Sequence, residues 1–318
     1  MHPVEKAALD AGFIDAKPAT AHPFDFWRKK LDSLPLSQYI KIDHRPRELT
    51  GWDVNETTIW SAAYPTPPFE KFPEAYGEVC GYYIGTQRAL PVAFAWMRAV
   101  RELGFEARFG LALPDRAAAA RAGLGVAGLS GPLLTPRGGS FVYLATLAVR
   151  MPPPKGTPGP EADAPETCEK CGLCQNACPT GAIGENGVDA TRCLRFDMGH
   201  PELTPDEHFV LMGRRIVGCD QCQRACPKNR GIARVKPSAA QLEPFLLDSL
   251  LDQPNRAAVA DLIGENYARA GRLRTQAAYA SANSRRTDLA PLLERLTADG
   301  YAPLRRAARW ALGRLKNA

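Results

Sequence analysis

Eight of the nine cysteines fall between positions 168 and 226, and their spacing constrains what this chain can fold around more than any other feature. Cys168, Cys171, Cys174 and Cys178 follow the pattern Cys-x2-Cys-x2-Cys-x3-Cys, with Pro179 next. Cys219, Cys222 and Cys226 repeat the last three members of that pattern, with Pro227 next, and Cys193 stands alone between the runs. Thiolates at these intervals, closed by Cys-Pro, are a ligand pattern for 4Fe-4S clusters. Zinc also takes four-cysteine sites, usually from two separated Cys-x2-Cys knuckles. Disulfides belong to oxidising compartments, and no export signal precedes this run. Cys80 is left over and reads as a small buried hydrophobe.

In a run of the bacterial ferredoxin type the fourth cysteine serves the other cluster. The second run supplies only three thiolates, and Cys193 fills the vacancy. Crossing the fourth ligands gives Cys168, Cys171, Cys174 and Cys226 for one cluster, and Cys178, Cys193, Cys219 and Cys222 for the other. Two such clusters deliver electrons one at a time and leave the acceptor open.

The rest of the chain is ordinary globular sequence, 318 residues with 45% hydrophobic and 23% charged side chains. No apolar run approaches the ~18 residues of a membrane helix, and the first residues lack the apolar core of a signal peptide, so a cytoplasmic protein is expected. Charge is uneven. Residues 256–318 hold twelve Arg or Lys against five Asp or Glu, an excess larger than the whole-chain net charge of +6. Either this is a solvated helix surface, or Arg305, Arg306, Arg309, Arg314 and Lys316 form an exposed basic face that tracks RNA phosphates.

Residues 152–160, rich in Pro and Gly, cannot continue a helix or a central strand. Three domains are expected: 1–155, 156–236 and 237–318. In the first, residues 57–64 read as a strand ended by Pro65, residues 91–103 as a helix starting at Pro91, and 106–113 as a strand. A short helix follows Pro114, and 140–149 is the clearest strand. The alternation suggests an α/β or α+β domain. Gly123, Gly125 and Gly128 spell G-x-G-x-x-G, but they follow an alanine-rich helix and lack the acidic residue about 20 positions on that a dinucleotide site requires. They are expected to bring backbone close to something flat and large. In the tail, Leu273, Ala277, Tyr279 and Ala280 recur 31 residues later as Leu304, Ala308, Trp310 and Ala311, a spacing in the range of two-helix repeats. No hydrolase or phosphate-loop motif is present, and the five histidines are dispersed.

The order of these parts resembles the epoxyqueuosine reductase family: the 122–128 glycine run, then 134–140 ending in Ser140, then the two cysteine runs and a helical tail, with Trp27, residues 39–47 and the strand ending at Tyr64 upstream. It is also similar to the catalytic core of the reductive dehalogenases. The resemblance implies an α+β chain made of a nitroreductase-like cobalamin-binding domain, a ferredoxin-like double-cluster domain and HEAT-like helical repeats. It implies cobalamin, held near Gly123, Gly125, Gly128 and Ser140, and a cobalt centre driven to Co(I) by the clusters. The substrate would be epoxyqueuosine in tRNA, held partly by the basic tail. A low-potential ferredoxin or flavodoxin would feed the outer cluster of a monomer.

One departure stands out. The family carries an Asp about a dozen residues before its glycine run, where this chain has a position near Phe109. Asp115 after a gap, or Tyr83, is then the candidate proton donor. A corrinoid reductase of a small molecule and a two-cluster electron carrier without cobalamin are the alternatives.

Overall fold

The computed structural model describes residues 1–33, 51–109, 113–163 and 168–317. Residues 39–47 and positions 110–112 of the expected 106–113 strand lie outside these. The chain separates into two compact units, each assembled from three segments.

The first unit comprises Met1–Thr66, Arg88–Ala190 and Gln221–Ile232. Its frame is an antiparallel sheet in the order Asp15–Thr20, Thr57–Pro65, Val142–Arg150, Ala107–Phe109. Side chains alternate between faces along a strand, and here both faces are covered. Trp60, Ala62, Leu147 and Val149 pack with Val4, Ala8, Trp96 and Val100 on one side. Ile59 and Ala148 pack with Ala117 and Ala118 on the other. Double coverage explains why residues 57–63 are buried without a break.

The helix expected to start at Pro91 begins ten residues earlier. It runs Gly81–Glu102 with Pro91 inside it, and its part from Arg88 onward belongs to this unit. An interior proline costs ~3 kcal/mol through the lost i−4 hydrogen bond, which burial of Ala93, Trp96 and Val100 offsets. The Trp96 indole also donates to Val4 O at 3.1 Å. The helix Asp115–Arg121 follows Pro114 as expected, its alanines letting it lie close to the sheet.

The second unit comprises Pro67–Gln87, Thr191–Asp220 and Ala233–Ala318. Glu78–Val79 pairs in parallel with Arg215–Val217, and the buried Arg214 fork binds Phe72 O, Pro73 O and Glu78 Oε1 at 2.6–2.7 Å. Its main core is helical. Ala270–Asn283 packs along Ala302–Lys316, which Ala290–Leu296 also touches. These two long helices carry the two copies of the 31-residue repeat, and the equivalent aromatics Tyr279 and Trp310 meet edge to face at 5.8 Å.

Neither unit follows the consecutive segments 1–155, 156–236 and 237–318. Contacts made far apart in sequence set the grouping: residues 221–232 belong with the first unit because Gln223 and Asn229 bond Ser140. Of the five basic residues expected on an exposed face, Arg309, Arg314 and Lys316 are exposed. Arg305 instead donates to Asp299 O and Gly300 O. Arg306 donates to Thr204 O, pairs with Asp206 and lies over the Phe209 ring. Both arginines are therefore part-engaged with carbonyls of this unit, while the Arg306 side chain keeps 40% of its surface exposed. Among the described residues no helix is long and apolar enough to cross a membrane.

Candidate metal centre

Within the first unit the first cysteine run wraps one short helical turn. Lys170 and Gly172 both take positive φ, at 50° and 78°, and bend the chain so that Cys168 and Cys171 precede the turn Leu173–Asn176, on which Cys174 sits. Glycine adopts that torsion without cost and a lysine does not, so the Lys170 bend is held by its surroundings. The turn packs against its counterpart Gln221–Arg224, after which Cys226 enters the short helix Pro227–Asn229.

Cys168, Cys171, Cys174 and Cys226 line one open pocket together with Gly128, Leu129, Ser130, Leu134 and Pro227. The thiol from the second run thus joins the three of the first, as the crossed pattern requires. Among the described residues no three His, Cys, Asp or Glu converge closely enough to hold one ion. The four thiols surround a volume, which suits a cage of iron and sulfide better than one zinc with ~2.3 Å bonds. Burial pushes the Cys174 and Cys226 thiols up, and the nearby Cys168 and Cys171 push the same way.

Backbone amides reach the sulfurs. Leu129 N–H donates to Cys168 Sγ at 3.2 Å and Ala182 N–H to Cys178 Sγ at 3.3 Å. At the rim, Lys228 pairs with Glu169 at 2.5 Å. Of the second set of four cysteines, Cys178 and Cys222 belong to the first unit, Cys193 and Cys219 to the second.

The residues expected around cobalamin are placed as follows. A Cβ on Gly125 would stand 2.5 Å from Leu134 O, and one on Gly128 2.6 Å from Pro132 O. These glycines let a small hairpin, Val126–Ala127 with Leu133–Leu134, close on itself: the backbone they approach is their own. Gly123 has φ of 65° and faces open space, its carbonyl held by Lys17 at 2.7 Å. Ser140 is buried and fully engaged. Its N–H donates to Asn229 Oδ1 at 2.8 Å, while its hydroxyl accepts from Asn229 Nδ2 at 2.8 Å and Gln223 Nε2 at 3.1 Å.

Asp115 opens the helix that packs on the sheet. Solvent reaches it, yet protein surrounds its carboxyl on most sides, and that desolvation raises its pKa to about 6. The nearby Thr146 hydroxyl and the Arg116 guanidinium oppose the rise, Thr146 without a well-aligned hydrogen bond. An acid that is both reachable and half-protonated near pH 6 can donate a proton to a bound molecule. Tyr83 is different. It lies in the core of the second unit, 4.6 Å edge to face from Tyr267, with burial pushing its phenol far up and the Arg195 charge pulling it back.

Sequence reasoning missed the Leu129 amide and the Asn229–Gln223 clasp on Ser140. No residue-type pattern announces a backbone donor, although Asn229, three residues after Cys226, lies close enough to a ligand to have drawn attention.

Residues 167–229 match the model of a 4Fe-4S double cluster binding domain. The epoxyqueuosine reductase of Bacillus anthracis is 32% identical over 212 residues, covering 64% of this chain and 54% of that protein. The Escherichia coli (strain K12) enzyme is 43% identical over 118 residues, 36% of this chain and 30% of that one. Over these stretches the chain is similar to the epoxyqueuosine reductases. It spans about half the length of the curated family members it matches. The fold agrees along nearly the whole chain: the solved epoxyqueuosine reductase from Bacillus subtilis, with its catalytic loop swung out of the active site, superposes with a TM-score of 0.77 at 23% identity, over 98% of this chain and 89% of that one. Another solved family structure, an epoxyqueuosine reductase with an epoxyqueuosine-modified tRNA stem loop, gives 0.73 at 23% identity over 98% and 89%. The double-cluster assignment therefore rests on the matched domain and on the cavity where three thiols of one run meet one of the other.

Proposed function

We propose that this chain is a cobalamin-dependent reductase fed by two 4Fe-4S clusters, and that it converts epoxyqueuosine to queuosine in tRNA. The observation that carries the reading is the convergence of Cys226 with Cys168, Cys171 and Cys174. It is supported by the sequence similarity to epoxyqueuosine reductases and by a fold shared with an epoxyqueuosine reductase solved with an epoxyqueuosine-modified tRNA stem loop. The second cluster takes Cys178, Cys193, Cys219 and Cys222.

Removing the epoxide oxygen takes two electrons and two protons and releases water. Cobalamin, when bound, supplies the low-potential metal that hands the electrons to the substrate, because the cofactor carries the hard chemistry. The chain's own groups do the rest. The clusters accept single electrons from a low-potential ferredoxin or flavodoxin. Asp115 holds a transferable proton on a largely desolvated carboxyl, and Tyr83, with its phenol raised far above neutrality, is the poorer donor. Gly123, which opens onto free space just past the end of the Asp115 helix, is the expected cobalamin neighbour that remains available. Gly128 lines the cluster pocket, Gly125 lets the hairpin beside it close, and Ser140 anchors the segment that carries Cys226.

The first unit corresponds to a nitroreductase-like core with ferredoxin-like runs, and the paired helices of the tail to HEAT-like repeats. Arg309, Arg314 and Lys316 would meet RNA phosphates, in a cytoplasmic monomer. Anaerobic protein with cobalamin, reductant and epoxyqueuosine-containing tRNA should yield queuosine by nucleoside mass spectrometry; unchanged epoxyqueuosine defeats the reading. A second reading, a corrinoid reductase of a small molecule, draws on the internal use of Arg305 and Arg306. It requires tRNA affinity that is absent, where the first reading requires binding that weakens steeply with salt.

A further inference from the structure

We infer that the backbone N–H of Leu129 is a tuning donor for the first cluster, holding the Cys168 thiolate so that this cluster is easier to reduce. The inference rests on the ligand set Cys168, Cys171, Cys174 and Cys226 given above. Cys168 is tied to one short stretch of the glycine hairpin by both its backbone and its sulfur: its N–H donates to Ala127 O at 3.0 Å, and its Sγ accepts from Leu129 at 3.2 Å. The turn around it holds the donor in place. Gly128 N–H bonds Pro132 O at 3.1 Å and Gly131 N–H bonds Gly128 O at 3.0 Å, closing a turn that only glycine permits at 125 and 128. From outside, Arg116 donates to Gly131 O at 2.5 Å and braces the turn against the helix that carries Asp115.

The physics is electrostatic. Reducing a cluster adds one negative charge, part of which resides on the ligating sulfurs. An amide dipole aimed at a sulfur stabilises the reduced form more than the oxidised one and raises the potential, one of the levers by which proteins set cluster potentials. The electron comes from the external low-potential donor and leaves to the acceptor, so the amide changes an equilibrium and takes no part in bond making. Cys178, assigned to the other cluster, has its own donor in Ala182, so losing the Leu129 amide touches one cluster only.

The test is an EPR-monitored redox titration of the anaerobic full-length holoprotein, with iron analysis. Leu129→Pro removes the N–H and keeps apolar bulk; Leu129→Met keeps both. In Leu129→Pro, with wild-type iron content, one cluster should show about a tenfold lower reduced-to-oxidised ratio at fixed potential, ~59 mV for a one-electron couple. The other cluster should be unmoved, and Leu129→Met should overlay the wild type. An unchanged midpoint in Leu129→Pro overturns the proposal while the ligand assignment stands. If Leu129→Pro sheds its cluster, Gly128→Ala decides: its Cβ displaces the retained amide, and a wild-type midpoint there overturns the proposal equally. Wild-type protein that binds no iron-sulfur cluster defeats the underlying ligand reading instead.

Discussion

Arg121 and Asp163 form a two-pronged ion pair inside the first unit, Nε to Oδ1 at 2.5 Å and Nη2 to Oδ2 at 2.6 Å, with side-chain exposures of 0% and 5%. The remaining guanidinium protons go to Thr20 O, His22 O and Pro23 O, so all five donors are matched. The group also lies 3.8 Å over the Phe24 ring. One side chain thus ties the end of the Asp115–Arg121 helix to two loops, one of which ends at Asp163, five residues before Cys168.

Breaking one side of this pair leaves a buried charge alone. Asp163→Asn should therefore cost about 3–5 kcal/mol, while replacing both partners, as in Arg121→Met with Asp163→Leu, should cost clearly less. Arg121→Lys cannot reproduce the fork and should fall near the first case. Denaturant midpoints of the three variants check the order. A double variant less stable than Asp163→Asn would mean that the carbonyl contacts of Arg121, and not charge burial, dominate.

Asn229 holds Ser140 by two bonds and the Gln223 carbonyl by a third, at 2.6 Å. These residues bracket Cys226, so the clasp sets where the crossing thiol stands. Asn229→Ala leaves the buried Ser140 N–H unmatched, at about 1–3 kcal/mol, and frees the Cys226 segment. Iron should pass to an external chelator faster than from wild type, and only about half of it. Equal loss from both clusters would place the clasp's effect elsewhere.

Part of this site was legible because thiolate chemistry needs particular residues at particular intervals: the ferredoxin-type spacing groups Cys226 with Cys168, Cys171 and Cys174, and these four line one pocket. The strand 57–65 was legible because Thr57, Thr58, Ile59 and Trp60 are β-formers bounded by Pro65. Pro91 misled, since proline at a helix start and proline inside a helix look alike until Trp96 and Val100 are seen to bury enough surface to offset its lost hydrogen bond. The partner of the glycine run, the carbonyls of Pro132 and Leu134, lies in backbone that residue types do not encode. Arg305 and Arg306 looked like Arg309; only tertiary structure shows that these two also bond backbone carbonyls.

Asp115 gives a pH prediction whose sign is fixed. Its pKa in the folded protein is raised to about 6 from 3.8, so the neutral form is the one folding favours. The resulting stabilisation is full below about pH 3.8 and is lost as pH rises through about 6. Asp115→Asn, which never ionises, should be at least as stable as wild type above pH 6. As the proton donor, Asp115 should make single-turnover reduction decline above about pH 6, and Asp115→Asn should lower the rate by about 10²–10⁴ and abolish that limb. The same limb persisting in Asp115→Asn would assign the proton to another group.

The crossed ligand set makes a prediction that no uncrossed arrangement shares. If each run served its own cluster, Cys171→Ala and Cys226→Ala would damage different clusters, and the double variant would lose twice what either single variant loses. With Cys168, Cys171, Cys174 and Cys226 on one cavity, both single variants should lose the same cluster, about half the iron, with the same EPR signal missing. The double variant should then lose no more than either one. Because cluster binding and local folding are coupled, each should also loosen the 168–178 turn, read as faster amide exchange there. Cys222→Ala is the contrast: it belongs to the other set and should remove the complementary signal, so that combining it with Cys171→Ala empties the protein of iron. Losses that add between Cys171→Ala and Cys226→Ala would show that the thiol from the second run does not complete the first cluster.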